Sequence, residues 1–226
     1  MAAITYLDLI RSTEARIGIK MLNPEYEVTA MLFDFDRLTP LEMQQKFSGS
    51  AAGFFKILKS LEAKDVITAT PNPLDGRSKL YRLSDRVRSV MASQWSRYNE
   101  GGREKLYAAD DPGEAIHKYT ETVTQKLRVK QFTSEYQILL YLGASPGLTN
   151  VKCHDLVDVS EAKFNMSLAS LKNAGLIVFE RDPADKRAKL YYLSEHIKDL
   201  FDEMNKSIFD WLSSKSEWME EAQREG

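Results

Sequence analysis

The chain has 226 residues, 43% of them hydrophobic and 28% charged, with a formal net charge of −2. That length supports one large domain or two modules of roughly 110 residues with modest cores, and the near-neutral balance excludes a uniformly basic binder of nucleic acid. A single cysteine, Cys153, excludes an internal disulfide and a cysteine-based zinc site within one chain.

The first residues, Met1-Ala-Ala-Ile-Thr-Tyr, lack the basic start and apolar run of a secretory signal, and no stretch approaches the ~20 apolar residues that span a bilayer. The expectation is a soluble cytoplasmic protein with no membrane partner. Tyr6, Leu9, Thr13 and Ile17 fall at helical spacing and predict an amphipathic helix over residues 3–20. A second apolar stretch covers Tyr26 to Phe33. Thr39 then stands as an N-cap for a short third helix, and Ser50 as the cap of a fourth, whose Phe54, Leu58 and Leu61 form one buried stripe. Lys64-Asp-Val-Ile67 switches to extended chain. Asn72-Pro-Leu-Asp-Gly-Arg77 is turn-rich and leads into a strand-like Lys-Leu-Tyr run, so a β-hairpin follows the helix-turn-helix. Val87, Val90 and Met91 mark a further amphipathic helix, and Gly101-Gly102 lies in a polar connector.

At Ala109-Asp-Asp-Pro-Gly113 the helical pattern breaks and the series begins again. With a constant offset of 110, about 20 of 60 positions between Glu25 and Ser84 are identical to the residue further on, where chance gives only a few. The second series has a helix over residues 114–130, an apolar stretch from Tyr136 to Leu142, and caps at Thr149 and Ser160. Its fourth helix carries the stripe Phe164, Leu168 and Leu171, with Gly175 suited to the left-handed position past the helix end. A hairpin at Asp182-Pro-Ala-Asp-Lys-Arg187 and a helix with Ile197, Leu200 and Phe201 complete it. The expected fold is mainly α with small β-hairpins, as two tandem modules over residues 1–110 and 111–226, the second ending in an acidic helix.

The helix cap, the Leu-x-x-Leu stripe, the Gly-Leu-Ile exit and the Asp-Pro-x-Asp-x-Arg hairpin together resemble the MarR family of bacterial winged helix-turn-helix regulators. The second copy follows the pattern best, through Leu171-Lys-Asn-Ala-Gly-Leu-Ile177 and Asp182 to Ser194. The first departs at Asp65, in place of the glycine, and at Asn72, in place of the first aspartate. The resemblance implies a sequence-specific double-stranded DNA-binding regulator, associated with the nucleoid and not an enzyme. It places the fourth helix in the major groove and the hairpin arginine toward the minor groove. By that implication Arg77 and Arg187 are wing arginines, with Asp75 and Asp185 bracing the turn. The family works as a homodimer with interleaved terminal helices, so this chain is expected to be a covalent pseudo-dimer or to pair into a homodimer with four modules.

Ser50, Gly53, Phe55, Lys56 and Lys59 with Arg77 and Lys79 are the first set of candidate DNA contacts; Ser160, Lys163, Asn165 and Met166 with Arg187 and Lys189 are the second. The lysines can neutralise phosphates or reach guanine, and Asn165 can read adenine. Charge is segregated as this requires, with eight basic against four acidic residues from Lys56 to Arg88, and seven acidic against three basic from Asp202 onward. His117, His154 and His196 show no metal-ligand spacing, and no phosphate loop, nucleophile elbow or dinucleotide fingerprint occurs, so no metal or cofactor is expected. Cys153 is expected to be a packing residue. Trp95, Tyr98, Phe201, Phe209, Trp211 and Trp218 are expected to pack between the units, and the resemblance adds a small aromatic effector in that region as an alternative. Two rival functions remain, a tandem winged-helix replication initiator, against which the Asp-x-Arg wing argues, and a winged-helix scaffold that binds proteins.

Overall fold

A computed structural model describes residues 5–97, 103–204, 206, 207 and 210. The chain opens with α1 (Tyr6–Ile17) and α2 (Pro24–Phe35), followed by the two-residue β1 (Arg37–Leu38), α3 (Pro40–Lys46) and α4 (Ala51–Ala63). A hairpin of β2 (Ile67–Asn72) and β3 (Asp75–Leu83) leads into α5 (Asp85–Arg97). After the short α6 (Arg103–Tyr107), the same order returns as α7 (Pro112–Leu127), α8 (Ser134–Ala144), β4 (Leu148–Thr149), α9 (Asn150–Leu156) and α10 (Glu161–Asn173). The hairpin of β5 (Ile177–Arg181) and β6 (Lys189–Leu193) precedes a helical segment over 195–204.

Local chemistry fixes the helix starts. Thr39 accepts from the Glu42 N–H while the Glu42 carboxylate accepts from the Thr39 N–H, a reciprocal box that satisfies two exposed donors of α3. Ser50 caps α4 through the Gly53 N–H at 3.2 Å, and Ser160 caps α10 through the Lys163 N–H at 3.4 Å. The exits match as well. Asp65 and Gly175 both adopt the left-handed conformation, at φ 54° and 70°, and the next N–H closes on the Leu61 or Leu171 carbonyl. The short side chain of Asp65 tolerates a backbone that glycine takes without cost.

Both sheets are antiparallel and three-stranded, in the orders β1-β3-β2 and β4-β6-β5. Their registers correspond over five hairpin pairs, with Leu38 opposite Tyr81 and Ile67 opposite Leu83 in one, and Leu148 opposite Tyr191 and Ile177 opposite Leu193 in the other, and the first hairpin adds Asn72 opposite Asp75 beyond a register shift. The sequence predicts only the hairpins; β1 and β4 are additional. Two residues are too few to show alternation, so their pairing is set by the hairpin they meet.

One hydrophobic cluster runs through both series, from Leu7, Met31 and Phe54 to Leu139, Phe164 and Ile197. The series meet at a backbone bridge between Leu22 and Phe132, flanked by the Asn23 N–H on the Gln131 carbonyl and the Thr133 N–H on the Met21 carbonyl, each 2.9 Å. Leu22 and Phe132 are counterparts, and the two flanking bonds exchange under the 110-residue offset, Asn23 to Gln131 becoming Thr133 to Met21, which is the pattern of a local two-fold axis. Arg128 donates to the Lys64 carbonyl at 3.2 Å and Arg86 to that of Lys126, so the ends of α4 and α7 are held together.

Candidate nucleic-acid interface

The stripes expected of α4 and α10 are buried. Phe54, Leu58 and Leu61 face the core in one, and Phe164, Leu168 and Leu171 in the other. The opposite faces are open. Ala52, Lys56 and Lys59 are exposed and Phe55 is 49% exposed, while Gly53 beside the cap is half-buried. On α10, Ala162, Lys163, Asn165 and Ala169 are exposed, and Met166 is 69% exposed.

Each hairpin tip holds its arginine in the same way. The Asp75 carboxylate accepts from the Arg77 N–H at 3.0 Å, and the Asp185 carboxylate accepts from the Arg187 N–H at 2.9 Å. An aspartate bonded two residues on closes a tight turn and fixes where the following side chain departs. Asn72 and Asp182 make the same bond one turn earlier, to the Leu74 and Ala184 N–H groups, so amide and carboxylate serve equally there. Both guanidinium groups lie on exposed residues, and among the described residues neither is in an ion pair.

The two faces differ in how their cations are committed. Among the described residues Lys56, Lys59 and Lys79 also have no ion-pair partner. Lys163 sits 3.3 Å from Glu135, and α10 opens with the acidic Glu161. Burial works against charge on Glu135, but hydrogen bonds from Ser167, its own backbone and Ser134, with Lys163 beside it, hold its carboxyl below the ordinary range. The first-series counterpart, Glu25, pairs instead with Lys64 at the far end of α4, at 2.6 Å. Lys189 and Lys172 both lie over the Phe179 ring, 4.5 and 4.7 Å from its centre. The sequence gives no sign of the roles of Lys172, Phe179 and Glu135, because their contacts join a helix to a strand or to another helix and carry no local pattern.

The other candidates are settled by their surroundings. Cys153 is fully buried and its thiol is pushed up to about 12 by burial, which makes it a packing residue rather than a nucleophile. The His154 ring packs at a tilt against Phe164, with centroids 4.9 Å apart. No group of three or more metal-binding side chains occurs among the described residues, and no helix among them is long and apolar enough to cross a membrane. Phe201 packs on Tyr136, rings 5.8 Å apart. Tyr98, Phe209, Trp211, Trp218 and the Trp95 side chain lie outside the described residues, as do Gly101 and Gly102. A cavity of about 480 Å³ lies elsewhere, between α7, α8 and α9.

The fold is thus mainly helical with two small antiparallel sheets, and each sheet carries an arginine-tipped hairpin beside a capped helix with an open face. No protein-family model matches the chain, and no curated protein does. Among solved structures it is similar to wild-type MarR of E. coli in its apo form, with 21% identity over 36% of this chain and 58% of that one, at a TM-score of 0.29. It is similar to the S. aureus MepR–DNA complex, with 18% identity over 59% of this chain and 91% of that one, at a TM-score of 0.33. A third is ZitR of Lactococcus lactis, a zinc-responsive MarR family member, with 21% identity over 48% of this chain and 83% of that one, at a TM-score of 0.32.

Proposed function

We propose that the chain is a sequence-specific double-stranded DNA-binding transcriptional regulator, built from two MarR-like winged helix-turn-helix units over residues 1–110 and 111–226. The observation that carries this reading is the arginine at each hairpin tip, fixed by an aspartate two residues before it, exposed and without an acidic partner among the described residues. A guanidinium so placed suits the narrow, strongly negative minor groove, while the capped helix beside it presents a face to the major groove.

In this reading Lys56, Lys59 and Lys79 neutralise phosphates, Ser50 and Ser160 set the helix starts against the backbone, and Asn165 reads a base edge. Gly53 lets the α4 backbone approach closely, and Phe55 and Met166 make apolar contacts in the groove. Lys163 and Lys189 contribute less, since Glu135 and Phe179 already engage them. The local two-fold at Leu22 and Phe132 supports a covalent pseudo-dimer whose two reading helices are not identical, so the preferred site is asymmetric.

The test is duplex affinity of wild type, Arg77→Ala and Arg187→Ala at two salt concentrations, on a site enriched from random DNA. The reading requires a steep fall of affinity with salt and a cost of about 1–3 kcal/mol for at least one substitution. A second reading, that the second unit docks on a protein, is favoured by its exposed apolar side chains Met166, Val178 and Phe179. Full duplex affinity in Arg187→Ala together with loss in Arg77→Ala would point that way.

A further inference from the structure

The residues that hold the entry to α4 have counterparts of different chemistry 110 positions on, and there a cavity stands instead. In the first series the Glu27 carboxylate, 6% exposed, receives the Arg11 guanidinium at 2.8 Å, the Ser48 N–H at 3.1 Å and the Ser48 hydroxyl at 2.7 Å. Arg11 also donates to the Lys46 carbonyl, and the Phe47 ring packs on Phe54 with centroids 5.5 Å apart. One arginine thereby ties α1, α2 and the end of α3 to the segment that caps the reading helix.

In the second series these positions are Glu121, Gln137, Asp158 and Val157. The arginine has become an acid, its carboxylate partner a neutral amide, and the phenylalanine a smaller valine. The cavity of about 480 Å³ is lined by these four residues. Its size falls within the range of small-molecule sites.

Its electrostatics favour a cation. Glu121, Asp155 and Asp158 line it with a single lysine, Lys130, whose ammonium is already bonded to the Asp158 carboxylate at 2.6 Å, and with His117 and His154, whose rings pack on Tyr141 and Phe164. The Gln137 amide N–H donates to the Phe132 carbonyl at 3.3 Å, which leaves the side-chain oxygen as the acceptor on offer. Gln131, also in the lining and only 9% exposed, has a side-chain oxygen with no hydrogen-bond partner. A carboxylate ligand would instead meet three acids.

We propose that this cavity binds a small guanidinium-bearing molecule, which takes the place that the Arg11 side chain fills in the first series. Such a ligand donates to Glu121, Asp158 and the Gln137 oxygen and bridges α7 and α8 to the segment that leads into the Ser160 cap of α10. The binding stands independently of the DNA reading; only its effect on α10 as a reading helix rests on it.

The experiment is calorimetric titration of the full chain with butylguanidinium, with its neutral isostere butylurea, and with benzoate. Butylguanidinium is expected to give saturable heat, and the other two none. Glu121→Gln is expected to weaken butylguanidinium binding by about tenfold or more, and Glu121→Arg, which installs the first-series residue, to abolish it. Equal binding of butylurea, preferential binding of benzoate, no saturable heat from butylguanidinium, or unchanged affinity in a folded Glu121→Gln would each overturn the proposal. If either variant fails to fold, the three ligands on wild type decide alone. Duplex affinity with and without butylguanidinium then separates the two claims, since a ligand that binds and leaves it unchanged removes the coupling to α10 and not the site.

Discussion

At the scale of single residues, side chains and left-handed backbone positions fix the hairpin tips and the helix exits. Arg77→Ala and Arg187→Ala remove only a guanidinium, so thermal unfolding should stay within about 0.5 kcal/mol of wild type while duplex affinity falls. Gly175→Ala tests the left-handed exit of α10. A Cβ there meets nothing within 4 Å, so its cost, about 1 kcal/mol in denaturant unfolding, comes from the backbone alone. Asp65→Gly at the matching exit of α4 should be neutral to slightly stabilising, and a loss above 1 kcal/mol would show that the Asp65 side chain has a role of its own. The exits, the four caps and the arginine tips were legible in the sequence because each is a short-range signal. The pairing of Lys163 with Glu135, 28 residues apart, was not, because nothing in the local pattern ties them.

At the scale of elements, the capping carboxylates make stability depend on pH. Hydrogen bonds from the Thr39 backbone and hydroxyl hold the Glu42 carboxyl below its ordinary range, and the Thr5 backbone does the same for Asp8. A carboxyl depressed in the folded state adds stability that is present above its unfolded pKa and is lost as pH falls through the folded value. Urea unfolding should therefore show stability falling from about pH 5 to 3, and Glu42→Gln should make the fall shallower, since the amide still bonds and no longer titrates. Thr39→Ala should cost about 1 kcal/mol at any pH. The open faces of α4 and α10 differ in the commitment of their charges. Lys56→Ala and Lys59→Ala should each lower the salt slope of duplex binding by about one and weaken all sequences alike. Lys163→Ala should change it less, because that ammonium is already neutralised. The longer helices and both hairpins were legible in apolar spacing and turn chemistry, whereas the five-residue α6, in what reads as a polar connector, was not. The two-residue β1 and β4 were not, since their existence depends on the strand they meet.

At the scale of the whole molecule, two series of elements meet around a local two-fold at Leu22 and Phe132, and divergence between them accompanies both the unequal charge of the two open helix faces and the cavity. The 110-residue offset was plain in the sequence, whereas the two-fold was not, because identical spacing says nothing of how two copies face each other. The cavity was equally hidden. It goes with several exchanges, Arg11 against Glu121, Glu27 against Gln137 and Phe47 against Val157, whose joint consequence depends on what α8 and the α9 end bring to the same place. Selection of duplexes from a random library by the full chain tests the central claim most directly. The account predicts one enriched motif with two unequal halves, the stronger lost in Arg77→Ala and the weaker in Arg187→Ala. No enrichment, with weak affinity indifferent to both substitutions, would contradict it.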